Sequence, residues 1–332
     1  MRAFVTGIGG FAGSHLAEFL LAQGIEVSGM VRHGHAGHAA GVQDRVRLYP
    51  ADLSDQSAIH AALEDAAPDL VFHLAGQANV PRSWQDPEGT YRTNVLGQLH
   101  LLEAVAAVCP AARVLVVGSN EEYGPPRPDE LPIRETNPLR PASPYAVTKA
   151  AQDLMGYQYF LGRKLQCIRV RPFNHIGPRQ DDGFVAPAFA RQVAEAELGL
   201  RPPVVWVGNL AAQRDFTDVR DMVRGYYLVL TRGTPGEVYN LGSGRPVSAQ
   251  ALLEYFLAQA KVRLQVEVDP ARFRPVDVPL VACDASKARA ATGWEPTLPL
   301  ERTLQDILDD WRMRVRTTRA HPSAASEPSV GR

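Results

Sequence analysis

The sequence predicts a doubly wound α/β fold, in which helices cover both faces of a parallel sheet, followed by a smaller mixed α/β C-terminal lobe. Three observations predict this class. Short apolar runs alternate with longer amphipathic runs through the first half of the chain, the first apolar run leads into a glycine-rich turn, and prolines and glycines become more frequent after Pro172. Strands that alternate with helices in sequence are joined by right-handed crossovers into a parallel sheet.

The first strand and the first helix flank the glycine-rich turn. The apolar run Ala3-Phe4-Val5 predicts the strand, and Gly7, Gly10 and Gly13 follow it at intervals of three residues. Apolar residues then recur at helical spacing up to Gly24, a natural stop for a helix. A strand, a glycine turn and an amphipathic helix in this order are typical of a Rossmann-type nucleotide-binding domain.

The later elements continue the same alternation. Further strands of the sheet are predicted at Glu26–Val31, Val46–Tyr49, Leu70–Phe72, Val114–Val117 and Cys167–Val170. The clearest helices between them are predicted at Val95–Val108 and Tyr145–Phe160. After Pro172, the predicted helices are Val185–Leu198, Val219–Leu230 and Ala249–Ala260, and the predicted strands include Val204–Val207 and Val238–Leu241.

These elements divide the chain into three parts. We expect residues 1–172 to form the Rossmann domain, to which some later chain returns. Residues 173–316 are expected to form mainly the second lobe, which caps the carboxyl edge of the sheet and binds the substrate. Residues 317–332 are rich in Ser, Ala and Pro and are expected to be a disordered tail.

The composition restricts the class of protein. The chain has 332 residues, with 35 Lys and Arg against 36 Asp and Glu, and its net charge of −1 argues against general nucleic-acid binding. The three cysteines, Cys109, Cys167 and Cys283, are isolated and predict neither a disulfide framework nor a metal site. No apolar run reaches about 18 residues, so no membrane span is expected. Because the chain starts with a strand rather than a signal peptide, we expect a cytoplasmic protein.

The glycine-rich turn is the candidate site for a dinucleotide cofactor. Gly7 permits a positive φ angle, Gly10 lets the backbone approach a diphosphate, and Gly13 allows the helix to pack closely on the strand. The amides at the start of the helix, from Phe11 and Ala12 onwards, and the helix dipole favour a phosphate at this position.

The identity of the cofactor depends on the end of the second strand. In dinucleotide-binding folds an acidic residue at this point hydrogen-bonds the adenosine ribose. The segment Ser28–His33 has no acidic residue, and Arg32 is placed to meet a 2′-phosphate. We therefore predict NADP(H), with NAD as the alternative if Arg32 is simply solvated.

Further cofactor contacts are expected where the third and fourth strands end. Asp52 and Leu53 are placed to meet the adenine, unless Asp52 instead caps a helix. The small residues of Leu74-Ala75-Gly76 allow a cofactor to lie close to the sheet. A loop rather than a metal site is predicted for three nearby histidines, His33, His35 and His38.

Tyr145 and Lys149 are the candidate catalytic pair. They are four residues apart on a predicted helix, so one face of the helix carries both. The ammonium and the positive charge of a bound nicotinamide would lower the pKa of the phenol from about 10 and allow proton transfer near neutrality. Ser119, just after the strand Val114–Val117, is placed to polarise a substrate oxygen. Glu121 is a candidate base or ligand for sugar hydroxyls.

Together these motifs resemble the extended short-chain dehydrogenase/reductase family, which acts on nucleotide sugars. The matching segments, in the family's order, are the glycine motif at 7–13, Asp52-Leu53, His73-Leu74-Ala75, Thr93-Asn94, the Ser119 segment and the motif at 145–149. The resemblance extends to about residue 316. It implies a Ser–Tyr–Lys centre in a Rossmann domain, a C-terminal lobe for the sugar nucleotide, and a homodimer that packs through the helix bearing Tyr145.

The second half of the chain is similar to the GDP-mannose branch of that family. The similar segments are Arg171–Pro178, Val207–Leu210, Arg214–Asp221 and Arg274–Pro279. The resemblance implies a GDP-linked sugar as substrate. It implies that Arg214 and Arg274 bind the diphosphate, for which guanidinium groups are suited, and that Asn174 and Asp277 contact the substrate.

Two activities of this branch are compatible with the residues around Ser119. One is NADPH-dependent reduction of the C4 ketone of GDP-6-deoxy-4-keto-D-mannose to a GDP-6-deoxyhexose such as GDP-D-rhamnose. The other is 4,6-dehydration of GDP-mannose. Ser119-Asn120-Glu121 favours the reductase, because dehydratases commonly carry Thr-Asp-Glu or Thr-Ser-Glu there, whereas Glu121 keeps the dehydratase open. A non-catalytic dinucleotide sensor is a minor alternative. Such a protein would keep the glycines and lose Tyr145 or Lys149, and both residues are present.

Overall fold

The computed structural model describes residues 1–32, 36–273 and 278–320. The predictions for Arg274 and Asp277, for His33 and His35, and for the tail beyond residue 320 lie outside the described residues. The described strands are β1 (Arg2–Thr6), β2 (Glu26–Val31), β3 (Arg47–Pro50), β4 (Leu70–His73), β5 (Arg113–Val117), β6 (Gln166–Pro172), β7 (Asn174–Ile176), β8 (Val204–Val207), β9 (Gln213–Asp218), β10 (Val238–Leu241), β11 (Pro246–Ser248) and β12 (Gln265–Val268).

The described helices follow the predicted pattern between these strands. They are α1 (Phe11–Ala22), α2 (Gln56–Ala66), α3 (Val80–Gln85), α4 (Pro87–Tyr91), α5 (Gly97–Val108), α6 (Pro144–Arg163), α7 (Val185–Glu197), α8 (Val219–Arg232), α9 (Ala249–Ala258), α10 (Ser286–Thr292) and α11 (Leu300–Ala320). A π-helical turn, Arg92–Leu96, precedes α5, and short 3-10 turns include Gly37–Arg45, Asn120–Tyr123 and Pro128–Glu130.

Seven of the described strands form one central sheet in the order β10-β6-β5-β4-β1-β2-β3. Each neighbouring pair in this sheet is parallel. The predicted doubly wound α/β fold is therefore confirmed. The chain builds the sheet outward from β1 to β3 and then continues on the other side of β1 from β4. In such sheets ligands bind outside the carboxyl ends of the strands at this switch point.

The core beside the sheet consists of apolar side chains from strands and helices. Phe4, Val71 and Val114 project from three neighbouring strands, and Leu63 of α2 and Leu101 of α5 pack with them; all five are fully buried. Burial of a side chain of this size contributes about 1.5–3 kcal/mol relative to exposure. This layer fixes the strand ends that carry the candidate site.

The described residues form two compact units. The first holds Met1–His175, Asp215–Pro246 and Leu280–Thr297, and the second holds Ile176–Arg214, Val247–Pro279 and the chain from Leu298 onwards. The boundary was predicted at Pro172, with some later chain returning to the Rossmann domain, and the prediction did not name the two later segments of the first unit. They belong to the first unit because β10 pairs with β6, with Val238 opposite Arg169, and because Cys283 forms a parallel bridge with Ile133.

The second unit is organised around α7, which packs against α11, α9 and β8. An ion pair joins two of these helices, with Arg312 Nη2 of α11 at 2.7 Å from Glu197 Oε1 of α7. Strands β8 and β12 form a parallel two-stranded sheet. Helical packing with a small sheet agrees with the mixed α/β lobe that the sequence predicted.

Helix α11 continues to Ala320, beyond the start of the predicted tail at residue 317. The hydroxyls of Thr317 and Thr318 each donate a hydrogen bond of 3.1 Å to a carbonyl one helical turn earlier, those of Met313 and Arg314. Residues 317–320 are therefore helical. Among the described helices, none combines the length and the hydrophobicity needed to cross a bilayer.

Candidate active site

The glycine-rich turn joins the end of β1 to the start of α1. Gly7 has a φ angle of +72°, and a side chain there would place its Cβ 2.8 Å from the Ala75 amide nitrogen. A Cβ at Gly13 would collide with the Gly7 carbonyl oxygen. The Gly10 amide donates a 2.9 Å hydrogen bond to that same oxygen. Two of the three glycines are thus required for backbone packing.

Helix α1 begins at Phe11 with Gly10 as its N-cap. A glycine has no side chain with which to cap a helix, and the first amides of a helix, here those of Phe11, Ala12 and Gly13, have no acceptor within it. Such amides and the helix dipole form an anion-binding site. The turn therefore suits the diphosphate of a dinucleotide.

The other predicted cofactor residues lie at the carboxyl ends of neighbouring strands. Arg32 is exposed and directly follows β2. Leu74, Ala75 and Gly76 directly follow β4, and the Thr6 hydroxyl at the end of β1 accepts a 3.2 Å hydrogen bond from the Ala75 amide. The order β4-β1-β2 therefore brings these residues to one edge of the sheet.

Asp52 and Leu53 follow β3 at the same edge. Asp52 is exposed, and its Oδ1 accepts hydrogen bonds from the Ser54 amide at 2.9 Å and the Ser54 hydroxyl at 2.7 Å. The N-cap of α2 is Asp55, whose Oδ1 accepts from the Ala58 amide at 3.0 Å, so the helix cap considered for Asp52 is not formed by it. Leu53 is buried.

The Ser119, Tyr145 and Lys149 side chains are brought together by β5 and α6. Ser119 follows the end of β5, and α6 starts after the N-cap Ser143, whose hydroxyl accepts from the Ala146 amide at 3.1 Å. The Lys149 ammonium donates a 2.8 Å hydrogen bond to the Val117 carbonyl. Tyr145 and Ser119 are hydrogen-bonded through their side chains. All three residues are less than a tenth exposed.

Burial controls the protonation of this pair. Burial raises the pKa of Tyr145, and the hydrogen bond with Ser119 opposes that rise. Burial also lowers the pKa of Lys149 to about 8, against the opposing negative charge of Glu122. The lowered tyrosine pKa that the sequence suggested depended partly on a bound cofactor; in the chain alone desolvation of the phenolate is the largest effect, and it acts in the opposite direction.

Two adjacent glutamates follow Ser119 and have different environments. Glu121 is half-buried, its amide donates to the Ser119 hydroxyl at 3.2 Å, and its negative charge contributes to the raised pKa of Tyr145. Glu122 is fully buried, and its Oε1 accepts a 2.7 Å hydrogen bond from the Ser119 amide. Glu122 was not predicted from the sequence, although the spacing S-x-x-E is the signal of a capping box.

Asn94 is a second buried residue to which the sequence assigned no role. It lies in the π-helical turn, and its amide nitrogen donates to the Thr148 hydroxyl at 2.9 Å and to the Gln77 carbonyl at 3.1 Å. Its Oδ1 accepts from the Gln77 amide at 2.8 Å. Asn94 therefore fixes the loop after β4 against α6.

His73, at the end of β4, is a neutral group close to the lysine. Burial and the charge of Lys149 lower its pKa to about 3. Its Nδ1 is 2.9 Å from the Thr6 hydroxyl oxygen. His73 therefore contributes a hydrogen bond to the edge of the sheet and no positive charge.

The predicted substrate residues are divided between the two units. Asn174 lies in the first unit, and its Oδ1 is buried without a hydrogen-bond partner among the described residues. An unsatisfied buried carbonyl oxygen of this kind suits a ligand N–H or O–H donor. Arg214 lies in the second unit, where its Nη1 donates to the Gln213 carbonyl at 2.9 Å and to the Val278 carbonyl.

Known proteins resemble this chain along nearly its whole length. A family model for GDP-mannose 4,6 dehydratase matches residues 4–307. The chain is 37% identical to GDP-6-deoxy-D-mannose reductase of Pseudomonas aeruginosa, over 95% of this chain and 98% of that protein. It is 31% identical to GDP-mannose 4,6 dehydratase 2 of Arabidopsis thaliana, over 93% of this chain and 86% of that protein. The solved structure of RMD from Pseudomonas aeruginosa complexed with NADPH matches with a TM-score of 0.83 at 34% identity, over 94% of this chain and 99% of that one.

Proposed function

Because the chain belongs to the GDP-mannose 4,6 dehydratase family, we propose that it reduces the C4 ketone of GDP-6-deoxy-4-keto-D-mannose with NADPH. The product would be a GDP-6-deoxyhexose such as GDP-D-rhamnose. The observation that carries this proposal is the buried, hydrogen-bonded pair Ser119 and Tyr145 beside Lys149. The relative named as a reductase, at 37% identity over nearly all of both chains, supports the reductive direction.

The residues at the sheet edge fit a bound dinucleotide. A side chain at Gly7 or Gly13 would collide with backbone atoms of the turn. Gly10, the N-cap, leaves the amides at the start of α1 without a side-chain cap. These amides would hold the diphosphate, and Arg32 would pair with the 2′-phosphate of NADP. The solved structure of RMD in complex with NADPH supports this cofactor. When bound, NADPH supplies the hydride that reduces the ketone.

The protonation of Tyr145 suits reduction. Burial raises the pKa of the phenol, so the hydroxyl keeps its proton near neutrality and can donate it to the C4 oxygen. The Ser119 hydroxyl hydrogen-bonds the same oxygen as negative charge develops on it. The Lys149 ammonium stabilises the phenolate that remains after the proton is transferred.

Dehydration of GDP-mannose is the second candidate function, because Glu121 lies close enough to Tyr145 for its charge to affect the phenol. In that reaction Glu121 would promote loss of water from the oxidised sugar. The Arabidopsis thaliana relative named as a dehydratase supports this alternative. Both reactions would use Ser119, Tyr145 and Lys149.

The substitution Glu121→Gln distinguishes the two functions. Wild-type protein and the variant would be given GDP-6-deoxy-4-keto-D-mannose with NADPH, and separately GDP-mannose with NADP⁺. A reductase oxidises NADPH only with the keto sugar and keeps most of that activity in the variant. A dehydratase forms keto sugar from GDP-mannose. Its rate should fall about 100-fold or more in the variant, because a general base is missing; this result would establish the dehydratase instead.

We further propose that the protein works as a cytoplasmic homodimer. The outward face of α6 exposes three large apolar side chains, Leu154 at 57%, Tyr157 at 41% and Leu161 at 50%. An exposed apolar patch of this kind commonly marks an interface. Leu101 and Leu102 of α5 are fully buried in the core and are not part of this exposed patch. The cytoplasmic location is supported by the three free thiols, since disulfides are rare in a reducing compartment. These are Cys109, Cys167 and Cys283.

The dimer is tested by light scattering coupled to gel filtration. The wild-type protein should have twice the mass of one chain. Leu154→Glu should give single chains, because a charge in an apolar interface is costly to desolvate, whereas Leu200→Glu, at another exposed leucine, should remain dimeric. A wild-type mass equal to one chain would contradict the proposal.

A further inference from the structure

Glu122 has no part in the reaction proposed above, yet it is fully buried directly behind Ser119. Its Oε1 accepts the Ser119 amide proton at 2.7 Å, while the Ser119 hydroxyl accepts from the Glu121 amide at 3.2 Å. These reciprocal bonds form a capping box around a single 3-10 turn. Ser119 is therefore held through both its main chain and its side chain.

The carboxylate of Glu122 belongs to a buried group of charges. Its Oε2 lies 3.2 Å from Arg171 Nε. Arg171 also contacts Asp153, through Nε at 2.9 Å and Nη2 at 3.2 Å, and Arg169 Nη1 contacts the same carboxylate at 2.6 Å. Asp153 is thus shared by two arginines. Glu122 is the other buried carboxyl group of this cluster, and it faces both Arg171 and Lys149. Burial and the charge of Asp153 raise the pKa of Glu122 to about 8.

Gly118 provides the space that this carboxylate occupies. A Cβ at Gly118 would collide with Glu122 Oε1 and would lie 3.1 Å from the Val170 carbonyl oxygen. The Gly118 amide donates to that carbonyl at 2.8 Å, so the backbone here is fixed to β6. Residue 118 therefore has no room for a side chain while Glu122 is in place.

We propose that Glu122 is a positioning residue of the active site, which holds Ser119 in its hydrogen bond with Tyr145 and, once ionised at alkaline pH, is the buried counter-charge of Lys149. The proposal rests on the reductase function given above, and it deepens that function by assigning this residue. Two consequences can be separated. The hydrogen bond to the Ser119 amide needs only an oxygen at this position, whereas the effect on Lys149 needs a negative charge.

The charge effect has a defined direction with pH. Burial lowers the pKa of Lys149 to about 8, and the charge of Glu122 opposes that shift. The groups that face Glu122 are Asp153, Lys149 and Tyr145 of α6, Arg171 of β6, Tyr123 of the same 3-10 turn and the Ser119 amide; His73 of β4 faces Lys149 and is neutral near pH 7. Because the pKa of Glu122 is raised to about 8, its charge develops over the same pH range in which Lys149 titrates. Replacing Glu122 by a neutral side chain removes that charge and lowers the pKa of Lys149 further. The alkaline limb of the activity profile should then move to lower pH.

The test compares variants of Glu122 with a matched control in a second capping box. At the surface turn Pro128–Glu130, Glu130 Oε2 accepts from the Arg127 amide at 2.7 Å, so Glu130→Gln alters the same kind of contact in a separate turn and leaves the carboxyl group of Glu122 in place. Steady-state rates with keto sugar and NADPH would be measured from about pH 6 to pH 9.5, bracketing the titration of Lys149.

Glu122→Gln keeps an oxygen for the Ser119 amide and removes the charge. Its kcat at pH 6.5 should stay within about threefold of wild type, and its alkaline limb should move by about half a pH unit or more. Glu122→Met keeps a side chain of similar size but removes both the oxygen that accepts from the Ser119 amide and the negative charge. Its kcat should therefore fall about 10-fold to 100-fold, the range expected for a misplaced catalytic group. Its KM values should remain within about threefold of wild type.

Gly118→Ala and Glu130→Gln complete the comparison. Gly118→Ala displaces the carboxylate without changing its chemistry, and it should reproduce the loss of kcat in Glu122→Met; it also serves as the positioning test if Glu122→Met does not fold. Glu130→Gln should match wild type at every pH. Folding of each variant is checked by its urea midpoint.

Each contribution can be overturned separately. A wild-type pH profile for folded Glu122→Gln overturns the counter-charge, and wild-type kcat for folded Glu122→Met or Gly118→Ala overturns the positioning. If the wild-type protein fails to reduce the keto sugar, the reductase function fails. The same variants are then measured in GDP-mannose dehydration, which uses the same three catalytic residues.

Discussion

At the scale of single residues, burial determines the charge of the proposed catalytic groups. Burial raises the pKa of Tyr145 and lowers that of Lys149 to about 8. Near neutrality the phenol therefore carries a proton and the amine is mostly charged. This is the state that a proton donor to a ketone oxygen requires.

Tyr145→Phe removes the donated proton while retaining the ring. We expect kcat to fall about 100-fold to 10,000-fold, the usual contribution of general acid catalysis, with NADPH binding preserved. Quenching of protein fluorescence by NADPH measures the binding, and loss of NADPH absorbance measures the rate. Turnover near that of wild type would contradict the assigned role of Tyr145.

The activity should fall as the pH rises through about 8, the value to which burial lowers the pKa of Lys149. Above that pH the ammonium loses its proton and no longer stabilises the phenolate. An unperturbed lysine would keep its charge to about pH 10. The pH profile of kcat/KM, which reports groups of the free protein, measures this limb, and a constant value to pH 9.5 would contradict the prediction.

Arg32 should control the preference for NADPH. Arg32→Ala should raise the KM for NADPH about tenfold, corresponding to about 1.4 kcal/mol, because the cation that pairs with the 2′-phosphate is lost. The KM for NADH, which lacks that phosphate, should change little. Arg45→Ala, at another exposed arginine, is the matched control. Equal changes for both cofactors would show that Arg32 is only solvated.

Residues of the candidate site could be predicted where their spacing in the sequence determines their position on a helix or at the end of a strand. Tyr145 and Lys149 share a helix face because they are four residues apart, and Ser119 follows a predicted strand. Glu122 could not be distinguished from Glu121, since two adjacent glutamates in a polar segment have the same pattern. Only the capping geometry and the space left by Gly118 show which carboxylate is buried.

At the scale of elements, periodicity identified the long helices and the central strands. The predicted strands Glu26–Val31, Val204–Val207 and Val238–Leu241 have the bounds that the structure has. The strands β7 and β11 span three residues each, which is too short for an alternating pattern to be recognised. The π-helical turn before α5 also has no sequence signal, although it holds Asn94.

The turn between β1 and α1 gives a prediction at this scale. In Gly13→Ala the new Cβ collides with the Gly7 carbonyl oxygen, so the helix must move away from the strand. We expect a loss of about 1–3 kcal/mol in the free energy of unfolding, as for other overpacked sites, and weaker NADPH binding. Urea unfolding and fluorescence titration measure the two effects.

Gly41→Ala is the control for this substitution. Gly41 lies in the 3-10 turn Gly37–Arg45, and a Cβ there has no atom of the described residues within 4 Å. Its stability should be within about 0.5 kcal/mol of wild type, as for most surface substitutions. Equal stability of Gly13→Ala and Gly41→Ala would contradict the close packing assigned to Gly13.

At the scale of the whole molecule, the sequence predicted two lobes and a return of some later chain to the first, but not which segments return. The change in composition after Pro172 indicated a second lobe. The return of Asp215–Pro246 and Leu280–Thr297 to the first unit depends on pairings between distant segments, such as β10 with β6. Local patterns do not encode such partners, because any buried apolar strand fits several positions in a parallel sheet.

The central claim is reduction of a sugar ketone at C4, and the most direct measurement follows the hydride itself. The protein would be given GDP-6-deoxy-4-keto-D-mannose and NADPH with deuterium in place of both hydrogens at C4 of the nicotinamide, and the product analysed by mass spectrometry and NMR. We predict one deuterium at C4 of a GDP-6-deoxyhexose for each NADPH oxidised. Unlabelled sugar with no net oxidation of NADPH, together with formation of the keto sugar from GDP-mannose, would contradict the reductase account.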